Sequence, residues 1–142
     1  GIDFTNKTVL DIGTGTGILA MFARRKNAAL AVGTEIDPQA LPCIAENFER
    51  NGFKDSCAVL GFLDAFADNV KFDVIVCNMI RSELWPLRDD IENLLASGGY
   101  FVVSGQLEEE KQYVLDWFSE CGFQVEEEIV RGEWWSARAR AL

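Results

Sequence analysis

A short apolar run, Thr8-Val9-Leu10-Asp11-Ile12, leads directly into Gly13-Thr14-Gly15-Thr16-Gly17, and the amphipathic stretch Ile18 to Asn27 follows at once. Glycines between a strand and a helix let the backbone turn within a few residues and approach a ligand that any side chain would displace. The spacing is G-x-G-x-G, one residue shorter than the G-x-G-x-x-G fingerprint in which pyrophosphate sits on the helix N-terminus. Asp11, two residues before the first glycine, is a poor neighbour for pyrophosphate. It suits the ammonium group of an amino acid, or a sulfonium through longer-range attraction. No lysine follows the loop, which excludes a P-loop.

The same alternation continues downstream. Arg24, Arg25 and Lys26 fall in the last turn of the first helix, where cations suit the negative end of its dipole. Leu30 to Thr34 reads as a second strand. Asp37 then serves as a helix N-cap and Pro38 as the first helical residue, with Leu41, Ile44, Ala45 and Phe48 inward and Asn51-Gly52 as the stop. Cys57 to Leu60 is a third strand and Phe72 to Cys77 a fourth. Ser82 to Ala96 is helical, ended by Gly98-Gly99, and Tyr100 to Ser104 is a fifth strand. Glu108 to Cys121 is a helix with Val114, Trp117 and Phe118 inward. Phe123 to Val130 and Glu133 to Ala141 have only Arg131-Gly132 between them, so they pair as an antiparallel hairpin. Near-continuous apolar strands between amphipathic helices indicate a parallel sheet covered on both faces. Residues 1–142 thus read as one doubly wound α/β domain of seven strands, mostly parallel, with an antiparallel C-terminal hairpin. In such a sheet strands one and four are neighbours, which would bring Asp11 and Asn78 together.

Composition narrows the chemistry. Among 142 residues, 13 Lys and Arg face 23 Asp and Glu, a net charge of −10. That balance argues against nucleic acid and favours a cationic partner. No run approaches the roughly eighteen apolar residues of a membrane span, and no signal peptide is expected. Histidine is absent, which removes imidazole general bases, Ser-His-Asp triads and His-ligated metals; no metal site is expected. Cys43, Cys57, Cys77 and Cys121 are widely spaced among apolar neighbours and read as buried thiols of a reducing, cytoplasmic compartment. The acidic runs 108–110 and 126–128 read as solvated faces, and Trp134 and Trp135 as hairpin packing. The first residue is Gly1 rather than Met, as in a trimmed or partial chain.

Glu35 ends the second strand 22 positions after Gly13, near the spacing at which an acidic side chain accepts hydrogen bonds from ribose hydroxyls. Together with Asp11 to Gly17 it resembles the cofactor site of Rossmann-like, class I S-adenosylmethionine-dependent methyltransferases. Glu35-Ile-Asp-Pro-Gln-Ala-Leu41, Val76-Cys-Asn-Met-Ile80 with Glu83-Leu84, Ser104-Gly105 and Gly132-Glu-Trp134 occur in the order found in the catalytic domain of the PrmA family. That family methylates amino groups of a protein of the large ribosomal subunit.

The resemblance implies S-adenosylmethionine as cofactor. Asp11, Gly13, Gly15 and Gly17 would face its methionine part and Glu35 its ribose. Leu63 and Asp64 would lie against adenine, with helix capping the plainer role of Asp64. Thr14 and Ile36 belong to the same binding set. Asn78 corresponds to the family's asparagine beside the transferable methyl and is the first catalytic candidate. Glu83 is the second; it would guide a cation inward or accept a proton, against the plainer reading of a solvated helix residue. The implied activity is methyl transfer to a protein amino group. A small-molecule or protein-arginine methyltransferase on the same core, or a non-catalytic S-adenosylmethionine-binding module, are the alternatives. The family's N-terminal recognition domain lies outside this sequence, and Arg81 and Ser82 stand where small residues are more usual.

Overall fold

Three parallel strands carry the first part of the chain in a computed structural model that describes residues 1–54 and 57–142. The chain divides into two units, Gly1–Ala67 and Asp68–Leu142. In the first, β1 (Thr8–Ile12), β2 (Leu30–Glu35) and β3 (Cys57–Leu60) pair in register, Thr8 with Leu30 and Val32 with Cys57. Parallel neighbours need a crossover, supplied by α1 (Ile18–Arg25) and α2 (Leu41–Arg50). Val9, Leu10, Ala20, Ala23, Ala31, Ile44 and Phe48 are buried, and this is the apolar set that drives the unit together.

Two local expectations shift here. The second helix starts at Leu41 rather than at Pro38, and Pro42 takes the proline position of its first turn. Asp37 instead closes a tight turn: its side chain accepts the Gln39 N–H at 2.9 Å and its carbonyl accepts the Ala40 N–H at 3.1 Å. A side chain satisfied two residues on competes with helix initiation at that point. Ala45 points outward.

The second unit holds β4 (Phe72–Asn78), β5 (Leu95–Leu107), β6 (Phe123–Arg131) and β7 (Trp134–Ala141), in the order β4-β5-β7-β6. β4 and β5 are parallel from Val74–Tyr100 to Asn78–Ser104, and β5–β7 and β7–β6 are antiparallel. The C-terminal hairpin is therefore as expected, closed at Gly132. The expected helix from Ser82 to Ala96 is three pieces: α3 (Arg81–Leu84), a 3₁₀ turn over Trp85–Leu87, and α4 (Arg88–Leu94). Pro86 has no N–H to give the ladder and tightens the chain there. β5 begins at Leu95, which pairs with Phe72 across an irregularity that takes in Gly98 and Gly99. α5 (Lys111–Cys121) follows a 3₁₀ turn over Glu108–Glu110.

An aromatic cluster fills this unit. Phe101 is fully buried and meets Trp117 and Phe118 edge-on at 5.7 and 5.9 Å. Trp135 is buried and donates its ring N–H to Glu128 at 2.8 Å, whereas Trp134 is exposed. The second acidic run is thus partly engaged, because Arg138 also bridges Glu126 and Glu127, each at 3.2 Å. Of the cysteines Cys77 is buried, Cys121 is half-buried with its thiol pushed up to about 11 by burial, and Cys43 and Cys57 are exposed. Cys43 and Cys57 depart from the expectation because apolar sequence neighbours do not decide which way a side chain faces. Among the described residues no helix is long and apolar enough to cross a membrane.

Because Phe101 is enclosed on several sides by rings, Phe101→Ala leaves a cavity. It should cost about 3–5 kcal/mol, read as a lowered urea midpoint with an unchanged slope.

Candidate functional site

In the first unit the glycine loop, the end of β2 and the end of β3 all emerge at the carboxyl edge of the three parallel strands. Such edges are where open α/β sheets bind ligands. Asp11 lies beneath the loop, 1% exposed. Its Oδ2 accepts the Thr14 hydroxyl at 2.6 Å and the backbone N–H of Ala20 at 3.2 Å. Ala20 is in the first turn of α1, and Gly17 before that helix has no side chain with which to cap it. Asp11 therefore satisfies one of the orphan N–H groups from nine residues upstream. Burial pushes its carboxyl up to about 6, against the pull of the Thr14 and Ala20 hydrogen bonds, and the Glu35 charge adds to the rise.

The three loop glycines all have positive φ, at 65°, 57° and 83° for Gly13, Gly15 and Gly17. Their uses differ. Among the described residues a Cβ on Gly15 would meet nothing nearer than the Gly13 carbonyl at 4.0 Å, so the backbone is bare to a ligand there. On Gly17 it would stand 2.8 Å from the Phe48 ring, so this glycine lets α1 pack against α2. Thr14 is buried, and its backbone N–H donates to the Thr34 carbonyl at 2.8 Å. Its side chain lies where a Cβ on Gly33 would come within 2.7 Å. The sequence reading missed Gly33, although a glycine inside an apolar strand is itself the sign of a close approach.

Glu35 is tied to this loop. Its Oε2 accepts the Gly15 N–H at 3.1 Å, and its Oε1 accepts those of Ile36 and Asp37 at 2.9 and 3.2 Å. A carboxylate held by three backbone donors keeps further lone-pair directions for hydroxyl groups. Ile36 beside it is 63% exposed and offers an apolar face. The turn after β3 is anchored by the Gly61 N–H on the Glu35 carbonyl at 3.0 Å. Within it Leu63 is buried, while Asp64 and Phe62 are exposed.

In the second unit Asn78 closes β4 with an exposed side chain. Its Oδ1 accepts the Ser104 hydroxyl at 3.0 Å, and the next residue, Met79, donates its N–H to the Ser104 carbonyl at 3.1 Å. Glu83 is exposed in the first turn of α3. Arg81 is committed elsewhere, paired with Glu110 at 2.9 Å and stacked over the Tyr113 ring at 4.7 Å. Among the described residues no three His, Cys, Asp or Glu side chains are grouped to hold a metal ion.

Fold and loop together are those of the Rossmann-like, class I S-adenosylmethionine-dependent methyltransferases: a seven-stranded, mostly parallel sheet with an antiparallel C-terminal hairpin. A ribosomal protein L11 methylase from Lactobacillus delbrueckii subsp. bulgaricus superposes with a TM-score of 0.90 at 28% identity, over 97% of this chain and 72% of that one. The N-methyltransferase NodS of Bradyrhizobium japonicum, solved with S-adenosyl-L-homocysteine, shares the fold with a TM-score of 0.76 at 16% identity, over 96% and 79% of the two chains. The chain belongs to the ribosomal protein L11 methyltransferase (PrmA) family, whose model matches residues 2–141. The ribosomal protein L11 methyltransferase of Alteromonas mediterranea is 38% identical over 94% of this chain and 45% of its own length. That of Geobacter metallireducens is 36% identical over 89% and 41%. This chain thus spans less than half the length of these relatives.

A carboxyl whose folded pKa lies near 6 and whose unfolded value is near 3.8 binds its proton more tightly in the folded protein. Its contribution to stability is present below the unfolded value and is lost as pH rises through the folded one. Asp11→Asn, which keeps an acceptor oxygen, should therefore stabilise the ligand-free protein at pH 7.5 by about 1–3 kcal/mol. The gain should shrink towards pH 4, as read by urea unfolding at both values.

Proposed function

We propose that residues 1–142 form a single catalytic domain that binds S-adenosylmethionine and transfers its methyl group to an amino group of a protein. The observation that carries this reading is the Glu35 carboxylate, hydrogen-bonded to the uncovered glycine loop through Gly15. Bare backbone and an oriented carboxylate at one strand edge suit a nucleoside that ends in an amino acid. Glu35 would accept the ribose hydroxyls and Ile36 would face the base. Asp64 and the backbone at Leu63 would border the base, and Gly13, Gly15 and Gly17 would shape the wall for the methionine part. Thr14 holds Asp11, which would supply the negative potential for the ammonium and sulfonium.

When bound, S-adenosylmethionine supplies a methyl group on a sulfonium that an amine displaces directly. The protein's task is alignment, and no metal or covalent enzyme intermediate is required. A lysine amine has an ordinary pKa of about 10.4 and must lose a proton before it can attack. Asn78 Oδ1 has one lone pair engaged by Ser104 and a second that can accept a hydrogen bond from the neutral amine. That bond would point the nitrogen lone pair away from Oδ1. Glu83, exposed at the start of α3, would draw the cationic acceptor inward and take up its proton.

The relatives' names supply the acceptor: a ribosomal protein, L11. Ribosomal proteins are rich in cations, and a chain of net charge −10 attracts such a partner. The reaction would then take place in the cytoplasm, and nucleic acid itself would be repelled.

Calorimetric titration of the purified chain should show binding of S-adenosylmethionine and its demethylated product, and none of a nicotinamide dinucleotide. Glu35→Ala should weaken that binding by about ten- to a hundredfold, the scale of a lost hydrogen bond to a charged group. Unchanged affinity would remove Glu35 from the site. Asn78→Ala should lower turnover on L11 by about a hundredfold or more, the range for loss of a single preorganised group, with cofactor affinity held within a few-fold. Equal loss of both would count against the role given to Asn78, and cofactor binding with no transfer by the parent chain would mark a non-catalytic module.

A further inference from the structure

The second unit has a buried polar side chain that the reaction just described leaves unused. Gln106 is fully buried in β5, in contact with no solvent. Its Nε2 donates to the carbonyl of Met79, while its Oε1 is buried and has no hydrogen-bond partner among the described residues. An orphaned acceptor in a core is unfavourable, and leucine would fill the same space without one. The amide must therefore do something that leucine cannot.

Its orientation comes from a bulge. Val103 pairs with Ala137 and Gln106 with Trp135, so three steps along β5 face two along β7. The extra residue reverses the alternation of side chains, and Gln106 turns inward where an unbroken strand would have turned it out. Gly105 makes the bulge possible with φ of +77°. A Cβ at Gly105 would lie 2.7 Å from Asn78 Oδ1 and 3.0 Å from the Met79 carbonyl.

The result is a clamp on the residue after Asn78. The Met79 N–H is held by the Ser104 carbonyl and the Met79 carbonyl by the Gln106 amide. One of these bonds fixes the peptide plane that leaves Asn78 and the other fixes the next plane. The Ser104 hydroxyl then holds the Asn78 side chain itself. We infer that Gln106 is a positioning residue: from the core of β5 it fixes the Met79 carbonyl and thereby the direction in which Asn78 presents its oxygen. This rests on the role proposed for Asn78, and it adds a residue that never touches the acceptor.

Gln106→Leu in the full chain tests it, with Gln106→Met as a second variant that keeps the unbranched shape. The side-chain amide of Asn78 should lose order, its ¹⁵N order parameter dropping from the parent's value to below about 0.6. The urea midpoint should stay or rise. On L11, kcat should fall about tenfold or more, with KM for L11 and cofactor affinity within twofold. In a cycle with Asn78→Ala the two losses should not multiply, because both act through one group. An Asn78 amide that keeps its order in both variants, or losses that multiply in full, would overturn the inference and leave Gln106 as a core residue. If the parent chain proves inactive, or Asn78→Ala proves harmless, the catalytic reading falls. The order parameter still decides whether Gln106 orients Asn78.

Discussion

The Asp11 carboxylate lies almost wholly out of water, where a charge is costly and most other side chains would pack at less expense. Around it the turn is ordered. Thr14 is drawn down by its hydroxyl, and the first turn of α1 is held by the Ala20 N–H. Thr14 in turn reaches β2 through the Thr34 carbonyl, and Gly15 reaches the end of β2 through Glu35. The loop is thus fixed from below and from one side, and at Gly15 its outer face is bare backbone. A ligand meeting that face finds a backbone already ordered, so little conformational entropy is lost on binding.

The second unit solves a related problem by different means. Asn78 is exposed at the end of β4, where a side chain is free to turn. Its surroundings restrict it through the β5 bulge, the bare Gly105 and the amide of Gln106. In both units a polar group is buried at a strand's carboxyl end, at some loss of stability, and the exposed group next to it is held in place. Functional constellations on rigid elements are commonly supported in this way from behind.

Much of this was readable beforehand, for reasons that are local. The apolar strands, the loop glycines and the two-residue gap of the C-terminal hairpin each declare themselves within a few residues. What escaped depended on partners distant in sequence or on a shift of periodicity. Gln106 falls beyond the expected fifth strand, and only the longer β5 with its bulge turns it inward. Gly33 reads as an interruption of a strand until Thr14 is seen against it. Pro86, inside the stretch Ser82 to Ala96, is a local sign of a helix break, and the broken helix still buries Leu84, Ile91 and Leu94. Asp37-Pro38 carries a strong capping signature, yet the next proline, Pro42, is the one that opens the helix.

Thr14 and Gly33 share one small volume between a loop and the strand beside it. A larger residue at 33 demands a smaller one at 14. Most smaller choices at 14 discard the hydroxyl that Asp11 holds, and serine would keep the hydroxyl while giving up the methyl that fills the space. Neither position can therefore wander alone over generations. Among descendants of this chain the two should change together or not at all, and the loop should carry that correlated history even where its glycines stay the same.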